Sequence, residues 1–153
     1  MGVYENTRPY FYFRRANIMT EAYTLNVDVA ENSAIPFNNV TIQKGCTSVL
    51  SAPATIQLNK CGVYAIHFDA SVTSADAGTV ASTLYKAGVA QPQGQASASL
   101  TADGIANLAF DTLVQVRESN SCRCCDSPTV IQILNTGIAA TYNNANIVVT
   151  KVC

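Results

Sequence analysis

The 153-residue chain has no tryptophan, a single histidine and few charged residues, which make up only 12% of the sequence. That charged fraction is about half of the ~25% typical of globular domains. Because 48% of the residues are hydrophobic, disorder driven by charge repulsion is excluded. A net charge of −1 provides no basic surface of the kind that nucleic-acid binding needs, so we expect no nucleic-acid partner.

Long apolar runs are also missing, since no stretch approaches the ~20 residues that span a bilayer. Residues 1–9 lack the basic start and the following apolar run of a secretory signal. We therefore expect no membrane partner and expect assembly in the cytoplasm.

Signatures of catalysis and of cofactor binding are absent as well. The sequence has no glycine-rich phosphate loop, no Gly-x-Ser-x-Gly elbow and no calcium loop. His67 is the one imidazole, and no nucleophile pattern accompanies it. Four of the six aspartates, Asp69, Asp76, Asp103 and Asp111, are scattered without a recognisable motif. These features predict a protein that is not an enzyme and that has no cofactor and no metal site.

Short alternating segments from Tyr23 onward predict β-strands. Tyr23–Val29 alternates apolar and polar residues with the period of two that is typical of a strand. Turn-forming pairs such as Asn38-Asn39 and Asn143-Asn144 separate the segments. The further runs are Cys46–Leu50, Thr55–Leu58, Gly62–Ser71, Thr79–Lys86, Ala96–Leu100, Ala106–Val116, Thr129–Leu134 and Ala145–Val152. This spacing predicts an all-β domain over residues 23–153, a single jelly-roll sandwich of about ten strands.

Residues 1–22 differ from the rest and predict an extended N-terminal arm. Within residues 4–15, three arginines against Glu5 give a net charge of +2, and Pro9 disfavours a helix. Aromatic and basic side chains in this combination favour a partner surface, so we expect the arm to dock on a larger assembly. The alternative is an edge strand folded over its own domain. The candidate docking residues are Tyr4, Arg8, Tyr10, Phe11, Tyr12, Phe13, Arg14 and Arg15.

Six cysteines are many for a protein of the reducing cytosol. Their even number allows three disulfides, within or between subunits, in pairings that the sequence cannot distinguish. The cluster at 122–125 has C-x-C-C spacing rather than the paired ligands of a zinc site, so disulfides are the preferred prediction and free thiols the alternative. The candidate disulfide residues are Cys46, Cys61, Cys122, Cys124, Cys125 and Cys153.

Four segments share a pattern with a known family. Gly62–Phe68 reads G-x-Y-x-[IF]-x-F, with Tyr64, Ile66 and Phe68 on one strand face. The other three segments are Ile35–Asn39, Thr83–Val89 and Ala140–Lys151. In this order they resemble the tumour necrosis factor and complement globular-head superfamily, and most of all the C-terminal domain of bacterial collagen-like spore-surface proteins and related phage domains.

The resemblance implies a homotrimer in which apolar strand faces pack around a three-fold axis. It implies packing roles for Tyr64, Ile66 and Phe68, while Tyr85 and Tyr142 belong either to the ordinary core or to the trimer axis. The spore-surface members carry Gly-X-Y repeats before this domain, whereas the aromatic-basic arm takes that place here.

These features together predict a structural, non-enzymatic assembly protein. The preferred hypothesis is a trimeric phage capsid decoration or head-fibre protein at the virion surface, anchored to the capsid lattice by its arm. One alternative is a disulfide-linked subunit of a spore surface or an extracellular fibre. Another is a module that binds a host glycan.

Overall fold

The computed structural model of the chain describes residues 19–45, 47–117 and 128–152. All eight candidate docking residues of the arm lie outside the described residues. The same holds for every candidate disulfide cysteine except Cys61. The predictions about these residues, and the division into an arm and a domain, stay predictions.

Ten β-strands form two sheets within the described residues. The strands are β1 (Met19–Val29), β2 (Asn39–Lys44), β3 (Ser48–Ala52), β4 (Thr55–Leu58), β5 (Gly62–Thr73), β6 (Gly78–Lys86), β7 (Val89–Leu100), β8 (Ile105–Val116), β9 (Thr129–Asn135) and β10 (Ala140–Lys151). The first sheet has the order β2-β1-β10-β5-β8 and the second the order β3-β4-β9-β6-β7, with antiparallel pairing throughout. The described residues contain no helix that is long and apolar enough to cross a membrane. The prediction of an all-β sandwich of about ten strands is confirmed.

One predicted turn is wrong because a strand runs through it, whereas another lies at the start of a strand. Asn38 precedes β2, which begins at Asn39 opposite Tyr23 of β1. The pair Asn143-Asn144 lies inside β10, where the register against β5 shifts between Tyr142 and Asn144. Such a bulge accommodates an extra residue without ending the strand.

The hydrophobic core lies between the two sheets. On β5 the side chains of Tyr64, Ile66 and Phe68 are buried and face inward, while alternate residues face outward. The ring of Phe68 packs against that of Phe110 on β8, with centroids 5.3 Å apart. Burying a large apolar side chain contributes about 1.5–3 kcal/mol, so this intersheet layer supplies the main stabilisation.

A buried asparagine holds one end of the sandwich together. The amide nitrogen of Asn135 donates to the carbonyl oxygens of Val29 (3.0 Å) and Ile138 (2.9 Å). Its side-chain oxygen accepts from the backbone N–H of Gly137 at 3.1 Å. These bonds fix the end of β1 against the β9–β10 connection, so the register of the first sheet is anchored from the second.

Candidate functional site

The outward side chains of β1, β10, β5 and β8 form one continuous surface, which we call the outer face. The antiparallel register aligns them in rows across the strands. One row contains Glu21, Val148, His67 and Asp111. The next row contains Tyr23, Asn146, Asp69 and Ala109.

Large hydrophobic side chains are exposed on the outer face. Leu25 on β1 is 55% exposed, and Ile105 and Leu113 on β8 are 70% and 61% exposed. They are three of the six large hydrophobic residues that are exposed within the described part of the chain. The three residues lie in different rows of the outer face and do not form one contiguous patch, so each is a separate apolar position at which a partner can make contact.

A shallow depression of about 260 Å³ lies on the outer face between β10, β5 and β8. Thr150, Ala65 and Leu113 are successive partners across these strands, and all three line the depression together with Val148. Small side chains beside an exposed leucine leave a recess that an apolar side chain of a partner can fill.

His67 lines this depression and lies between two carboxylates. The period of β5 places Asp69 on the same side as His67, and the β5–β8 register places Asp111 directly opposite. The His67 Nδ1 atom is 2.6 Å from Asp111 Oδ1, and Nε2 is 3.0 Å from Asp69 Oδ2. The side chains of His67, Asp69 and Asp111 are 43%, 48% and 80% exposed.

The protonated form of His67 fits this geometry. A neutral imidazole has one N–H, whereas an imidazolium has two, and both neighbouring oxygens belong to groups that only accept when ionised. The hydrogen bonds that His67 donates to Asp111 and then to Asp69 raise the pKa of His67 above its ordinary value, despite an opposing effect of partial burial. When His67 is protonated, the cluster is a partly exposed ion triad with net charge −1.

This arrangement does not support catalysis or metal binding by His67. Both of its ring nitrogens contact carboxylates, so neither is available to a nucleophile or to a metal ion. Among residues 19–45, 47–117 and 128–152, no group of three or more histidine, cysteine or acidic residues has a geometry suited to a metal.

The sequence correctly places His67 outward but misses its partners. The interpretation of the aspartates as scattered is wrong for Asp69 and Asp111, which meet at His67. A local signal exists for Asp69, since residues two apart share a strand face. Asp111 is 44 residues away from His67 and depends on the strand register, which has no local signal.

The predicted packing residues occupy two different environments. Tyr64, Ile66, Phe68 and Tyr142 are buried between the sheets. The hydroxyl of Tyr64 donates to the carbonyl oxygen of Lys60 at 2.7 Å, and burial raises the pKa of Tyr64. Tyr85 is instead half-buried on the outward side of the second sheet, opposite Gln132 of β9. It therefore lies neither in the core nor on the outer face.

Cys61 is the one cysteine among the described residues. It is disulfide-bonded. The pairing scheme of the six cysteines stays a prediction.

No protein-family model matches the chain, and no curated protein matches it in sequence. Solved structures do match. Murine APRIL at pH 5.0 matches with a TM-score of 0.65 and 8% identity, over 88% of this chain and 99% of that one. The fold is that of tumour necrosis factor and complement C1q domains. The globular domain of the zebrafish complement 1qA protein has a TM-score of 0.60 at 8% identity, covering 88% of this chain and 95% of that one. Eiger TNF from S. frugiperda has a TM-score of 0.57 at 10% identity, covering 88% and 93%.

The match confirms the predicted superfamily resemblance at the level of the fold. At these identities nothing finer than the fold is shared. The narrower likeness to bacterial spore-surface and phage domains stays a prediction.

Proposed function

We propose that this protein is a non-enzymatic structural subunit that forms a homotrimer through its outer face and decorates a larger particle. The observation that carries the proposal is the exposure of Leu25, Ile105 and Leu113 on one face of the sandwich. Burying these side chains between copies removes them from water, and each contributes about 1.5–3 kcal/mol when fully buried.

The charges at the two sides of the outer face support head-to-tail contact between copies. Lys44 on edge strand β2 pairs with Met19 in the β1 register and is exposed, while Asp111 is exposed on edge strand β8. In a closed ring of three subunits, the β2 side of one subunit contacts the β8 side of the outer face of the next subunit. A lysine at one side and an aspartate at the other are complementary in that arrangement.

The N-terminal arm is the proposed anchor to the particle. Its three arginines suit carboxylates on a host lattice, and Tyr10–Phe13 suit apolar grooves or the edge of a neighbouring sheet. Three arms on one trimer bind together more firmly than one, because the first contact raises the local concentration of the others. The particle that fits best is a phage capsid, which places the protein at the virion surface.

Deleting residues 1–18 tests the arm without removing any residue of β1, which begins at Met19. We expect the truncated chain to remain a folded trimer and to be lost from purified particles. A matched variant that keeps the length and changes Arg8, Arg14 and Arg15 to glutamine should show reduced incorporation. Normal incorporation of the truncated chain would contradict anchoring by the arm.

A further inference from the structure

We propose that His67, held between Asp69 and Asp111 on the outer face, makes assembly of the trimer depend on proton binding, with the imidazolium as the assembled form. This inference rests on the proposed trimer and adds its regulation. It names a proton as the ligand and the Asp69–His67–Asp111 cluster as the binding site.

Apart from His67 itself, every charged residue in the two rows that contain His67 and Asp69 is acidic. Asp69 lies on its own strand β5, and Asp111 lies opposite on β8. The neighbouring strand β10 presents the uncharged Val148 at this position. Beyond β10, Glu21 and Tyr23 of β1 complete the two rows. No lysine or arginine occupies these two rows, so His67 is the group that balances the carboxylates.

Assembly changes the environment of these carboxylates. In a separate copy Asp69 and Asp111 are 48% and 80% exposed, so water screens them. In the proposed trimer, contact between copies excludes that water. A lower dielectric strengthens both the attraction of His67 for its two carboxylates and the repulsion between these carboxylates.

The charge balance gives the direction of the effect. A protonated cluster carries −1, and a deprotonated cluster carries −2. Lys44 from the next copy, in the head-to-tail arrangement, brings the protonated cluster to zero and leaves the deprotonated one negative. Burying the uncompensated charge costs more free energy, so the trimer holds the proton more tightly than the separate copy.

The pH window follows from this direction. Trimer formation is strongest where His67 is protonated in both states, below its pKa in the separate copy, which the hydrogen bonds to Asp111 and Asp69 already raise above the ordinary value. It weakens as the pH rises from that pKa to the higher pKa in the trimer, because dissociated copies then release protons. Each of three subunits contributes at most one proton, so the trimer dissociation constant changes by at most about a thousandfold per pH unit.

The test is the trimer dissociation constant of the full chain, measured by sedimentation between pH 5.5 and 8.5. We expect at least ~10-fold weaker assembly at pH 8 than at pH 6 in the wild type. His67→Gln, which cannot take up a proton, should assemble with the same affinity across this range. The variant is unambiguous because His67 is the only histidine of the chain.

A second pair of variants keeps the test decisive if His67→Gln does not fold. Asp111→Asn removes one carboxylate of the cluster, whereas Asp103→Asn removes a carboxylate in the β7–β8 turn. The backbone φ of Asp103 is 58°, a conformation that asparagine also tolerates. We expect Asp111→Asn to move the pH midpoint of assembly downward and Asp103→Asn to leave it in place.

The outcomes separate the inference from the proposed function. A trimer whose affinity is independent of pH, or whose pH dependence survives His67→Gln, overturns the proton-coupled assembly and leaves the trimer standing. Equal pH midpoints for Asp111→Asn and Asp103→Asn overturn it too. A chain that is monomeric at every pH overturns the proposed function itself.

Discussion

The hydroxyl oxygens of Ser82 on β6 and Tyr142 on β10 lie 2.8 Å apart and share a hydrogen bond that joins the two sheets through the interior. Both residues are fully buried. Burial raises the pKa of Tyr142, while the bond to Ser82 lowers it. Because a buried hydroxyl without a partner is costly, the two residues depend on each other.

Replacing Tyr142 with phenylalanine tests this cross-sheet bond. The ring still fills the core, but the Ser82 hydroxyl loses its partner, so we expect the free energy of unfolding to fall by about 1–2 kcal/mol. Urea denaturation measures the change. The matched control is Tyr85→Phe on the outward side of the second sheet, where we expect a change within about 0.5 kcal/mol. Equal effects of the two variants would show that the buried bond contributes nothing.

Replacing Asn135 with alanine should destabilise the fold more strongly. The change leaves the carbonyl groups of Val29 and Ile138 and the N–H of Gly137 without their side-chain partner in a buried region. We expect a loss of about 3 kcal/mol, since each unsatisfied buried group costs about 1–3 kcal/mol and the local structure relaxes in part. Gln95→Ala removes an exposed amide from β7 and serves as the control. If Asn135→Ala lowered the free energy of unfolding as little as Gln95→Ala does, the buried hydrogen bonds of Asn135 would not stabilise the fold.

The ion pairs of His67 with Asp69 and Asp111 also predict that the folding stability of one subunit depends on pH. Its folded-state pKa is raised, so the stabilisation is fully present below pH 6.5 and is lost as the pH rises through the folded-state value. The effect is small, because solvent screens the partly exposed pairs. Titration of the imidazole resonance by NMR should give a pKa above 6.5, and Asp111→Asn should lower it. A pKa at or below 6.5 in the wild type would speak against the triad.

The exposed leucine on β8 should be required for assembly but not for folding. Leu113→Asp places a carboxylate in the proposed contact between copies, next to an already acidic cluster, and we expect monomers with the circular dichroism of a β-sandwich. Val89→Asp places a carboxylate at the 63% exposed first residue of β7, in the second sheet, and should leave the trimer intact. If the Leu113→Asp variant still forms trimers, the interface between copies does not include Leu113.

The sequence pattern predicted most of the strands because their apolar residues alternate. The run Thr55–Leu58 matches β4 at both ends, and Gly62 begins β5 as predicted. The strand β2 was missed although Val40 and Ile42 alternate with polar residues, because it is a short edge strand of six residues that begins at the predicted turn Asn38-Asn39. The first half of β7 was missed because Pro92 and Gly94 are typical of turns, although an edge strand tolerates proline.

The candidate site could be predicted only in part. His67 and Asp69 share a face by their spacing alone, but Asp111 reaches them through a strand pairing of long sequence separation. The exposed residues Ile105 and Leu113 have the sequence character of core residues. The burial pattern of β8 in the folded sheet is what places them outward.

The most direct test of the account is the mass of the full-length protein in solution by light scattering at pH 6. Self-assembly through the outer face predicts one species of ~49 kDa, three times the chain mass of 16.2 kDa. A species with the mass of a single chain, well folded at the same pH, would contradict it.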